Sequence, residues 1–219
     1  MNTEWTKQTE RQLVIKRFTY FLISGAISAL LLTIAEFIRN PLVAPLAFIF
    51  PGLLFAVALS KIRLKRKAAY IPGFVAIFTV LFTLFNIGFV FVLIYKSSDY
   101  FISQGGLSLK DYLVFVLIML LLGGFAGLFA AGSYGHFLKW DYPKAWKTAL
   151  VGSLAYTVPF LLITASQHII SWPYLAIQTS ILILVWQLAV GWLFCLPTED
   201  DRKLEVRQMR GLISRIGKE

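Results

Sequence analysis

Six stretches of this 219-residue chain are each apolar over about 20 residues, the length a helix needs to cross the hydrocarbon core of a bilayer. They run Phe18–Ile38, Leu42–Ser60, Tyr70–Tyr95, Tyr112–His136, Ala145–Ser166 and Pro173–Leu196. The runs are continuous rather than alternating, which points to helices and not to the strands of a barrel. Composition agrees: 58% of residues are hydrophobic and 15% charged, against about half and about a quarter in a soluble domain. The first run is too long for a cleavable signal and ends in Glu36, Arg39, Asn40 and Pro41, so it is expected to stay as an anchor.

The net charge of +10 is a topological signal before it is anything else. With six spans, all but three of the 21 basic residues fall on the side of the two termini; the exceptions are Arg39, Lys96 and Lys110. Basic residues near helix ends stay cytoplasmic, so both termini are expected inside, and an even number of spans follows. The expected fold is an all-α integral membrane protein with six transmembrane helices, N-in and C-in, multi-pass in the plasma (inner) membrane. Residues 1–17 form a basic cytoplasmic segment, 18–196 the transmembrane domain, and 197–219 a basic tail. Apolar Leu204, Met209, Leu212, Ile213 and Ile216 recur in that tail at roughly helical spacing, so it reads as an amphipathic interfacial helix. Anionic inner-leaflet lipid accounts for the positive charge, and nucleic acid is not needed to explain it.

An internal repeat organises the spans. With Pro51 placed over Pro159, seven of thirteen positions are identical between Leu42–Leu54 and Leu150–Leu162. Phe74–Thr79 matches Tyr174–Thr179, each after a proline, and a small-residue cluster recurs at Ser24-Gly25 and Gly123-Gly124. The matches keep their order, with offsets of 99, 108 and 100 residues. Two three-helix units, about 18–95 and 112–196, would then enter the membrane from opposite sides. A 3+3 inverted-topology repeat with interrupted helices in matching places is a pointer to a midplane binding site.

The candidate ligand-binding residues follow from this. Pro51 and Pro159 near mid-span would each free a backbone carbonyl. Asn86 and Gln187 are the amides deepest within the spans, and Thr83, Ser153, Tyr156 and Thr157 extend the same polar layer. Such amides either bond a neighbouring helix or line a polar path. Gly123, Gly127, Ala131 and Gly135 stand four apart on the fourth span and should seat Ser24 and Ser28 of the first, or else form a homodimer seam. Lys61, Arg63, Lys65, Arg66 and Lys67 form a basic loop suited to anionic lipid or to a partner membrane protein.

No span holds a central Asp, Glu, Lys or Arg, and the chain has no zinc, nucleophile-elbow or phosphate-loop motif. No enzyme activity, metal or cofactor is expected, and the lone Cys195 reads as packing. Two functions remain. One is a small facilitator or carrier for a neutral or weakly polar solute, which the repeat favours. The other is a non-transporting membrane subunit acting through its basic loop and tail. The topology is tested by single cysteines in a Cys195→Ala background. Positions 65 and 140 should resist a membrane-impermeant thiol reagent in intact cells, while position 103 labels. Labelling of position 65 from outside would contradict the orientation.

Overall fold

Helices form wherever the apolar runs are dense, because a backbone lacking water partners satisfies itself by local hydrogen bonds. The computed structural model describes residues 3–38, 47, 49–62, 71–84, 86, 109–138, 143–165 and 172–199. The described residues form six helices and no strand: α1 Thr3–Ile38, α2 Ile49–Ile62, α3 Ile71–Leu84, α4 Leu109–Leu138, α5 Ala145–Ala165 and α6 Trp172–Cys195. Three contain segments long and apolar enough to cross a membrane, Gln8–Ala35, Tyr112–Gly135 and Ile177–Cys195, while α2 and α3 are shorter apolar helices. Arg63, Lys65, Arg66, Lys67, positions 87–95 of the third run and the tail beyond Glu199 lie outside the described residues.

Helix α1 takes in most of the basic amino-terminal segment. Its 36 residues extend about 54 Å at the helical rise, well beyond the roughly 30 Å of a hydrocarbon core. Helix α6 is the hub, packing on α1, α2 and α5. It runs antiparallel to α1: Phe18 meets Trp192, the amide of Gln187 lies against Gly25, and Thr33 meets Ser180. The amino end of α1 and the carboxyl end of α6 therefore share one end of the bundle.

Rings from several helices fill the interior. Phe55 of α2 lies 5.2 Å from Phe21, 5.6 Å from Phe78 and 5.1 Å from Trp186, centroid to centroid. Phe82 of α3 stacks on Phe78 at 5.7 Å and leans on Trp186 at 5.1 Å. Tyr134 of α4 closes the cluster against Phe74 and Phe194. Aromatic pairs at such spacings add to the dispersion energy of burial. The outside is also apolar: Leu30, Leu84, Leu117, Phe125 and Leu162 are all more than half exposed.

The small-residue groove of α4 seats α5, not α1. A Cβ at Gly123 would strike the Gly152 carbonyl, and one at Gly127 the Thr148 carbonyl. Ser24 and Ser28 instead meet Gln187 of α6. The expected union of Ser24 and Ser28 with Gly123, Gly127, Ala131 and Gly135 is thus corrected. The physical reason lies in α5, whose Thr148 and Gly152 carry little side chain and match the groove, and which follows α4 after a short connection. Ala131 is buried and Gly135 half-buried farther along the helix. Gly127→Ala should therefore cost about 1–3 kcal/mol by wedging the pair apart. Gly132→Ala meets nothing within 4 Å and should raise stability by up to about 1 kcal/mol, the helical preference of alanine over glycine. Equilibrium unfolding in detergent checks both; equal effects would refute the seam.

Candidate functional site

Gln187 is fully buried on α6 and uses both ends of its amide. Its Nε2 donates to the Pro51 carbonyl at 2.9 Å and to Ser28 Oγ at 3.4 Å, while its Oε1 accepts from Ser24 Oγ at 3.5 Å. Ser28 Oγ in turn donates to the Ser24 carbonyl at 2.7 Å. One side chain thus joins α6 to α1 and α2. The short contact to Pro51 dominates; the serine contacts are long and weaker. Two turns farther along, the Thr33 and Ser180 hydroxyls lie 2.9 Å apart and bridge α1 to α6 again.

Asn86 belongs to a second network. Its Nδ2 donates to the Phe82 carbonyl on its own helix side at 2.7 Å, and its Oδ1 accepts from Tyr156 Oη at 3.2 Å. The Tyr156 ring lies 6.3 Å from that of Trp186, whose Nε1 donates to the Gly123 carbonyl at 3.3 Å. Ser153 Oγ donates to the Leu120 carbonyl at 2.7 Å. Thr83 is buried on α3. Thr157 is also buried, and its Oγ1 makes no hydrogen bond. The polar residues picked out in the sequence thus fall in two bonded groups, one around Gln187 and one around Asn86 and Tyr156.

Pro159 lies inside α5. Pro51 is buried in α2, and its own carbonyl accepts from Gln187. Among the described residues no group of three or more His, Cys, Asp or Glu side chains gathers as a metal site.

Arg17 is the residue that sequence reading underrated. Counted there with the solvated basic segment, it is only 6% exposed. It sits one turn before Phe21, on the stripe that carries Ser24 and Ser28, and that spacing was the available signal.

Gln187→Leu removes three contacts at once and should lower stability by about 1–2 kcal/mol. Asn86→Leu, half of whose bonding is to Phe82, should cost less. Unfolding in detergent ranks the two, and the reverse order would contradict the role of the Gln187 tie. No protein-family model matches the chain, and neither a curated protein nor a solved structure is significantly similar to it.

Proposed function

We propose that this chain is an integral membrane protein of six spanning helices, with both termini cytoplasmic, that serves as a non-transporting membrane subunit. It engages anionic inner-leaflet lipid or a partner through a basic cytoplasmic face. The apolar exterior and the three long apolar helices support the membrane assignment. The shared end of α1 and α6 supports the even span count. Exposed Arg11, Lys16, Lys61, Lys144 and Lys147 fall toward that end, and Lys110 toward the other, in keeping with the positive-inside rule.

One observation carries the choice of function: both deep amides are spent on protein. Gln187 bonds Pro51, Ser28 and Ser24, and Asn86 bonds Phe82 and Tyr156, around an interior filled with rings. Helix glue needs that arrangement; a solute path needs free donors and acceptors. The second reading, a carrier built on an inverted repeat, draws on the Thr157 hydroxyl, which is buried and unbonded beside Tyr156. A small hydrogen-bonding solute at that hydroxyl would satisfy it.

Two variants separate the readings in cells lacking the native gene. Replacing Lys61, Arg63, Lys65, Arg66 and Lys67 with Gln should abolish complementation, since each such charge near an anionic surface is worth about 1 kcal/mol. Asn86→Leu should complement fully. Loss with Asn86→Leu at normal membrane insertion, and full activity of the neutralised loop, would instead establish transport.

A further inference from the structure

Tyrosine and tryptophan rings on a membrane helix favour the headgroup layer, where their apolar body and polar edge are both satisfied. Tyr20 of α1, Trp146 of α5 and Trp192 of α6 are exposed, and contacts inside the bundle place them at one height. Gly123 and Gly127 of α4 meet Gly152 and Thr148 of α5, so those two helices run in opposite directions. Gly123 and Tyr134 of α4 meet Trp186 and Phe194 of α6, so those two run together. Helices α5 and α6 are thus antiparallel, and Gly152 lies against the Trp186 indole. Trp146 is six residues before Gly152 and Trp192 six after Trp186, which brings both to one level. Phe18 packs edge-on against Trp192 at 5.2 Å. Tyr20 is two residues on from Phe18, about 3 Å by the helical rise.

The exposed surface changes character at that height. On one side of it the exposed residues include Ile23 and Leu30 of α1, Leu150 and Leu162 of α5 and Ile181 of α6. On the other side they include Arg11, Gln12 and Lys16 of α1 and Lys144 just before α5. Exposed Ile15 and Leu196 stand little more than a turn beyond the rings, within the thickness of a headgroup layer. Lys147 holds its Nζ 5.7 Å over the Trp146 ring, which sets a cation beside the lipid phosphates. We propose that Tyr20, Trp146 and Trp192 are the contact of the bundle with the headgroup layer of the inner leaflet and set the depth at which it sits. This rests on the membrane reading proposed above and says where its lipid partner begins. The stretch of α1 from Thr3 to Tyr20, about 25 Å long, then stands clear of the hydrocarbon and carries exposed Arg11 and Lys16 on the cytoplasmic side.

The test uses the full-length protein in vesicles of phosphatidylcholine and phosphatidylglycerol, with nitroxide labels on single cysteines in a Cys195→Ala background. Labels at Gln12→Cys, Lys16→Cys and Lys144→Cys should collide mainly with a water-soluble nickel chelate. Labels at Ile23→Cys, Leu30→Cys and Leu150→Cys should collide mainly with oxygen. All six positions are exposed, so the labels leave the packing intact. The preference should reverse within about one turn of Tyr20 on α1 and of Trp146 on α5. Oxygen preference at Gln12→Cys, or reversal at different heights on the two helices, overturns the assignment. The indoles themselves are read by fluorescence. The emission lost in the double variant Trp146→Phe, Trp192→Phe should be quenched more by lipid brominated near the headgroup than by lipid brominated near the chain end. The opposite order, or no quenching by either lipid, also overturns it. Nickel access at all six positions would mean that the bundle lies outside the bilayer, and that result alone would remove the proposed function together with the ring contact.

Discussion

The contact on which the bundle most depends is the Gln187 amide resting on the Pro51 carbonyl. In a chain with an apolar exterior, burying more hydrocarbon gains little, because side chains outside are in similar company. What then distinguishes one helix arrangement from another is close packing and the pairing of polar groups. Gln187 supplies the second for α1, α2 and α6, and the α4–α5 glycine seam supplies the first. The Trp186 ring, adjacent in sequence, links these halves: its face meets Phe55 and Phe82, and its N–H reaches Gly123 on α4. A shift of α6 by one residue would undo both at once.

How much of this was readable depends on which property carries the information. Apolar runs fix helix positions by length, so α5 and α6 lie close to the spans expected for them. Polar residues inside such runs are few, so Gln187, Asn86, Pro51 and Tyr156 stood out in the sequence, there as candidates for binding a solute. Their partners were not. Whether Gly123 meets Ser24 or Gly152 turns on the three-dimensional order of the helices, and small residues recur on all of them. The aromatic interior was missed for a related reason. Phenylalanines in a membrane-like segment look alike whether they point inward or outward, and periodicity is weak where both faces are apolar.

Arg17 brings the electrostatic and packing arguments together. Charge counting groups it with the basic amino-terminal segment, and helical periodicity places it on the buried stripe of α1, where it is only 6% exposed. An arginine can bury its stem and keep its fork at the interface, where acceptors are available. The planar, permanently charged arginine suits such a position, where its stem packs among apolar groups and its fork stays among polar ones.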